Sequence, residues 1–289
     1  MIHRFSFLAI LLVFGFFMSS CNLSNSKETS DAPFPCEDGF ANGFACDNVD
    51  LFSLAGDSSG VFLNDIWGWT DPQTAKEYAL VGLTNGTAFV DISDPENPVV
   101  VGRLPESNIR GKFKQLTLDN YPACNVGIGS ISRSKSLAQG TAWRDVKVYD
   151  NHAFVVSDAQ PHGMQVFDLT RLREYDGVVM EFEHDALYDK FGPAHNIVIN
   201  PETGFAYGVG ITQSEMCGSR DSTGLHMIDI RNPKAPEFAG CYIDSSPGNY
   251  RIAPGYIHDA QCVVYDGPDG RYSGQEICFN SAEGNVVIA

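Results

Sequence analysis

Apolar residues along this chain come in short runs, rich in Val, Ile, Phe and Tyr, and bounded by Gly, Pro, Asn or Asp. That pattern predicts β-strands. The runs fall at 78–83, 87–92, 99–104, 145–149, 152–157, 164–169, 196–199, 205–210, 225–230, 261–265, 276–280 and 285–288. Helical periodicity shows only in the first residues and faintly at 170–175. Many short strands in series predict an all-β sandwich, barrel or propeller.

A repeat chooses among these. Asp91-Ile-Ser-Asp-Pro95-Glu-Asn-Pro98-Val-Val-Val-Gly102 aligns without a gap on Asp229-Ile-Arg-Asn-Pro233-Lys-Ala-Pro236-Glu-Phe-Ala-Gly240. Each follows an apolar run, so each reads as a strand ending in Asp, a double-proline turn and a second strand. Reading outward finds two degenerate copies. Units open near Asn64-Asp65, Arg144-Asp145, His195-Asn196 and His258-Asp259, and the first three reach a signature aspartate at Asp91, Asp168 and Asp229. Those aspartates lie 77 and 61 residues apart (91 to 168, 168 to 229), too irregular for a tight solenoid. Sheets with variable loops fit better, and the prediction is a β-propeller of degenerate repeats over 36–289. A further step of 61 falls at position 290, so the fourth unit is expected to be incomplete and the chain to be a fragment. Residues 105–142, rich in Ser, Gly and Lys/Arg, form the longest insertion.

Residues 1–20 read as an export signal: His3 and Arg4 are basic, and 5–17 is an apolar core short for a membrane span. Met18-Ser19-Ser20-Cys21 resembles a bacterial lipobox, which would leave Cys21 acylated at the new N-terminus. The alternative is an ordinary signal peptide with a chance cysteine. Residues 21–35 read as a polar tether. The net charge of -17 makes nucleic acid and anionic membrane surfaces poor partners. Solubility accounts for that charge; cation binding needs a located cluster.

Apart from Cys21, seven cysteines remain, none in a zinc-ribbon or C-x-x-C spacing, so disulfides in an oxidising compartment are the default. Cys36 and Cys46 bracket a glycine-rich loop, Cys217 and Cys241 flank one strand, and Cys262 and Cys278 sit on adjacent strands. Each couple can pair, leaving Cys124 over.

The lipobox, the Cys36…Cys46 opening, Trp143-Arg-Asp-Val-Lys-Val-Tyr149, His162-Gly-Met-Gln-Val-Phe-Asp168, Ala194-His-Asn-Ile197, Gly224-Leu-His-Met-Ile-Asp229 and His258-Asp-Ala-Gln-Cys-Val-Val264 together resemble the choice-of-anchor B family. Its members are bacterial surface proteins built from LVIVD-type repeats, and the likeness runs over nearly all of the chain after the signal. The resemblance implies a β-propeller held at the cell surface, here through the lipobox, and it brings no catalytic activity with it. The 105–142 insertion, with its extra cysteine, departs from that pattern.

In a propeller the unit openings would line a central channel. The expected ring is Asp65, Asp145, His195 with Asn196, and His258 with Asp259. Carboxylates and imidazoles that converge can hold a divalent cation or polarise a ligand; equally, such residues serve as strand caps in a hydrated channel. Ser132-Arg-Ser-Lys135 matches S-x-x-K, but its partner motifs are missing and the loop composition explains the match. No G-x-S-x-G, H-E-x-x-H, G-x-G-x-x-G or P-loop occurs. Trp67 and Trp69, with Tyr78, form either a carbohydrate-stacking platform or buried packing. His184-Asp185 reads as solvated.

The expected function is non-catalytic binding of a protein or glycan at a bacterial, most simply outer-membrane, surface. The rival is a metal-dependent enzyme, such as a hydrolase, using the Asp/His ring. A structural spacer is the third reading.

Overall fold

The computed structural model describes residues 32–56, 61–107, 109, 143–159, 161–218, 223–244, 254–282 and 284–289. The expected signal, Cys21, the tether as far as residue 31 and almost all of the insertion, with Cys124, Ser132 and Lys135, lie outside the described residues.

The chain divides into two units, Met1–Leu51 and Phe52–Ala289. Within the first, β1 (Phe40–Ala41) and β2 (Phe44–Ala45) form a hairpin. Its turn residues, Asn42 and Gly43, both have positive φ, as a tight two-residue turn requires. The Cys36–Cys46 disulfide closes the loop, and the Cys36 amide donates to Asp50 at 2.7 Å.

Among its described residues the second unit is all-β apart from one short 3₁₀ turn, Leu169–Glu174. Its strands form four sheets, each an antiparallel meander in chain order. The first holds β3 (Leu63–Thr70), β4 (Glu77–Leu83), β5 (Gly86–Asp91) and β6 (Val99–Pro105). The second holds β7 (Arg144–Tyr149), β8 (His152–Ser157) and β9 (Met164–Asp168). After β9 the chain crosses back, so that β10 (Met180–Glu181) pairs parallel to β6, and then returns as β11 (Ala186–Tyr188) on β9. The third holds β12 (Asn196–Asn200), β13 (Phe205–Val209), β14 (Leu225–Asp229) and β15 (Glu237–Tyr242). The fourth holds β16 (Asp259–Val264), β17 (Glu276–Ser281) and β18 (Val286–Ile288).

Period-two alternation explains how these sheets stack. In β8, Ala153 and Val155 face a core shared with the first sheet, around Phe89, Leu80 and Phe167. Phe154 and Val156, on the other face, join a core shared with the third sheet, around Phe191, Ile197 and Ile228. A third core, with Val209, Leu225 and Ile257, lies between the third and fourth sheets. A strand buried on both faces has no polar face to show, which is why 153–156 reads as a continuous apolar run. Full burial of a phenylalanine contributes about 2–3 kcal/mol. Phe89 and Phe167 also stack across the first interface, with centroids 4.7 Å apart.

The double-proline repeat has one structure in both copies. Asp91 accepts from the Ser93 amide and Asp229 from the Arg231 amide, each at 3.0 Å, which ends the strand in a tight turn. Ile92 and Ile230 then donate back to Glu77 and Gly204. Both copies carry a β-bulge at the same place, beside Phe89/Val90 and beside Met227/Ile228. In the first copy Gly102 has its own reason: a Cβ there would lie 2.3 Å from the Phe182 ring, which packs into the first core. The second sheet keeps the aspartate turn, Asp168 accepting from the Thr170 amide at 3.0 Å, but continues into the 3₁₀ turn instead of a proline loop.

Three predicted features change. The strands β3 and β15 stand where no run was assigned, because β3 is interrupted by Asn64, Asp65 and Gly68 and β15 is half-exposed throughout. The faint helical periodicity at 170–175 belongs to the 3₁₀ turn Leu169–Glu174, which Tyr175 caps in an extended conformation. Asp185 is fastened, accepting from the Asp168 amide at 2.7 Å and from Arg171 at 3.1 Å.

Candidate binding groove and its latches

Strands β3, β7, β12 and β16 open the four sheets, and consecutive ones lie side by side. Together they line a cavity of about 530 Å³ whose lining includes Asp65, Trp67, Asp145, Lys147, Asn196, Asp259 and Gln261. Polar groups recur here because alternate residues of each opening strand point away from the cores.

Three of these residues reach from one sheet to the next. Asp65 accepts from the Val146 amide of β7 at 2.8 Å. Asp145, the corresponding residue of the second sheet, accepts from the Ile197 amide of β12, also at 2.8 Å. Asn196 donates its side-chain amide to the His258 carbonyl at 3.1 Å. Asp259 occupies the fourth such position and accepts from the adjacent Ala260 amide at 2.8 Å. Among the described residues an opening strand has no hydrogen-bonded partner strand on this side, and each latch satisfies one backbone group near its start.

Charge in the groove is partly balanced. Lys147 donates to Asp145 and stands over the Trp67 ring, 4.7 Å from its centroid. Burial raises the Asp145 carboxyl above the ordinary carboxylate range, against the pull of Lys147 and the Ile197 amide, with Asp65 adding to the rise.

The expected ring is therefore split. Asp65, Asp145, Asn196 and Asp259 line one groove, whereas His195 and His258 pair with each other, ring centroids 4.5 Å apart. His195 Nδ1 lies 3.1 Å from Asp158, and that hydrogen bond raises the imidazole's pKa above its usual value despite partial burial. Trp143 and Tyr256 continue the row, at 6.3 Å from His195 and 6.5 Å from His258. Gly210 permits the approach of this end of the third sheet: its φ is +62° and a Cβ would stand 2.4 Å from that of His195. Among the described residues no three His, Cys, Asp or Glu side chains gather closely enough to hold a metal ion.

The aromatic alternatives also separate. Trp69 and Tyr78 are buried and stacked at 5.4 Å, so they are packing, while Trp67 is 41% exposed in the groove. The three disulfides form as paired from the sequence, Cys36–Cys46, Cys217–Cys241 and Cys262–Cys278. Cys21 lies outside the described residues.

Sequence reasoning missed a buried hub where Arg144 joins the first two sheets. Arg144 donates to the Leu83 carbonyl at 3.0 Å and contacts His162 Nε2 at 2.8 Å, with Glu106 3.6 Å away. His162 is fully buried, and burial with the neighbouring guanidinium pushes its pKa down to about 3, so the imidazole stays neutral and accepts. Also missed was Asp158, a single polar residue after β8 that no motif distinguishes.

Residues 75–105 match the family model of the LVIVD repeat. The match covers β4, β5 and β6 with the Asp91 turn, the unit from which the repeat was read. No curated protein and no solved structure matches the chain.

Proposed function

We propose that this chain is a lipid-anchored β-propeller of the choice-of-anchor B type, exported to a bacterial surface, where it binds a protein or glycan through the groove of its opening strands. The four sheets are its blades and Cys21 its acylated residue. The observation that carries the reading is the convergence of four equivalent strands on one polar groove containing an exposed tryptophan. The matched repeat, the face-to-face stacking of consecutive sheets and the three disulfides support it as well.

Titration of the labelled protein against intact envelopes and isolated envelope polysaccharides tests the groove. Trp67→Ala should weaken binding at least tenfold without lowering the melting temperature; unchanged binding removes the groove from the account. Labelled palmitate should enter the protein in lipoprotein-processing cells and be lost with Cys21→Ala. Metal analysis addresses the enzyme reading: one divalent ion per chain, lost when His195 and His258 are both replaced, would favour a metal-dependent hydrolase.

A further inference from the structure

The third sheet contains a chemical arrangement that the groove does not use. Cys217, in the β13–β14 connection, is 1% exposed, while its disulfide partner Cys241, on β15, is exposed to solvent. His226 on β14 pairs in register with Cys241, and its Nδ1 lies 3.1 Å from Cys217 Sγ. The other ring nitrogen, Nε2, lies 2.7 Å from the Tyr188 hydroxyl. Phe191, Tyr188 and Phe238 surround the imidazole edge-on, at centroid distances of 5.2 to 5.7 Å.

Donor accounting sets the tautomer. Tyr188 has His226 as its hydroxyl partner, and burial pushes its pKa up, so it keeps its proton and donates to Nε2. The imidazole proton then sits on Nδ1, facing Cys217 Sγ, a disulfide sulfur with no proton to donate; Ser214 Oγ stands farther off, at 3.4 Å. Ser214 Oγ already accepts from the Met216 and Cys217 amides. Burial also holds His226 neutral, with its pKa down at about 4, so the Nδ1 proton is a hydrogen-bond donor over the ordinary pH range.

We infer that the Cys217–Cys241 bridge is a directed thiol–disulfide exchange site for small thiols, in which Cys241 takes the incoming sulfur and Cys217 leaves toward His226. An external thiolate attacks Sγ of the exposed residue Cys241 and forms a mixed disulfide. The Cys217–Cys241 bond breaks, and its electron pair goes to Cys217, whose thiolate accepts the His226 Nδ1 hydrogen bond. A second thiolate then attacks the external sulfur of the mixed disulfide, giving the oxidised small thiol and reduced Cys241. The protons of the two consumed thiols end on Cys217 and Cys241. Stabilising the leaving thiolate speeds the first step, and His226 is its catalytic residue. Tyr188 is a positioning residue acting through the tautomer. The Cys262–Cys278 bridge lacks such access, both sulfurs being in residues at most 4% exposed.

Limited exchange of the full chain with reduced glutathione, followed by acid quenching, alkylation and peptide mapping, tests this. The first adduct should be glutathione on Cys241 with Cys217 alkylated, and this bridge should open before Cys262–Cys278. A double variant, Tyr188→Phe with His226→Phe, removes both hydrogen-bonding partners together, the change that best preserves folding. It should slow opening of this bridge about tenfold, the effect of losing one hydrogen bond to a charged sulfur, and leave Cys262–Cys278 unchanged. His226→Asn, which keeps a donor near the Nδ1 position, should restore much of the rate, and nitrogen NMR of the wild type should show His226 protonated on Nδ1. Glutathione on Cys217, or wild-type opening in the double variant, would overturn the inference; the wild-type adduct map decides even if the variants do not fold.

Discussion

Asp91, Asp168 and Asp229 end the third strands of their sheets, whereas Asp65 and Asp145 stand at the start of the first strands of theirs. The turn aspartates bind amides two residues away and attract nearby cations: Lys76 for Asp91, Lys234 for Asp168, Arg231 for Asp229. Each is held below the ordinary carboxylate range; hydrogen bonding outweighs the desolvation that acts against it. The groove aspartates instead bind amides 81 and 52 residues away, across a sheet boundary. At Asp145 burial wins and the pKa rises. One residue type thus closes turns within a sheet at one end and holds neighbouring sheets together at the other. The difference lies in what faces each carboxylate, a local loop or the unpaired edge of the next strand.

Removing a latch should cost most. Asp145→Ala strips the Ile197 amide and leaves Lys147 without its carboxylate, and should destabilise the second unit by about 3 kcal/mol in urea unfolding. Asn196→Asp should cost about 1–2 kcal/mol, since it turns a carboxylate toward the His258 carbonyl in place of a donor. A turn aspartate should matter less: Asp91→Ala loses a local turn and an exposed ion pair, about 1 kcal/mol. A larger loss for Asp91→Ala than for Asp145→Ala would reverse the comparison.

Acid titration sharpens it with the smallest effect. The Asp168 pKa falls from 3.8 to about 2 in the folded state, so its contribution is full above the unfolded value and is lost as pH drops through about 2. Asp145 has the opposite sign, because its raised pKa favours the protonated form in the folded protein and its contribution is lost as pH rises. Asp168→Asn should therefore flatten the acid limb of the stability profile, and Asp145→Asn should steepen it. Parallel profiles for the two variants would show that the carboxylates do not differ.

Much of this fold is legible in the sequence because several central strands, β8, β9 and β13 among them, are buried on both faces. A run such as 153–156 has few other ways to fold, and the gapless Asp91/Asp229 alignment marks a unit whose turn and bulge recur. The strand β3 escapes because Asp65 and Trp67 belong to the groove, where an interrupted apolar pattern is the functional one. The site was legible in its positions but not in its grouping. The alignment of Asp65, Asp145, Asn196 and Asp259 locates the groove, yet the residue before each latch position points elsewhere. Thus His195 and His258 meet each other, and Arg144 turns into the hub with His162. Nothing in a linear pattern distinguishes those directions, and the partners Asp158 and Glu106 come from other strand ends.

Amide hydrogen exchange tests the latches most directly. Asp65→Ala should deprotect the Val146 amide and leave Ile197 protected, and Asp145→Ala should deprotect Ile197 and leave Val146 protected. Unchanged protection at both amides, or equal loss at both in either variant, would contradict the claim that these aspartates join consecutive sheets one interface at a time.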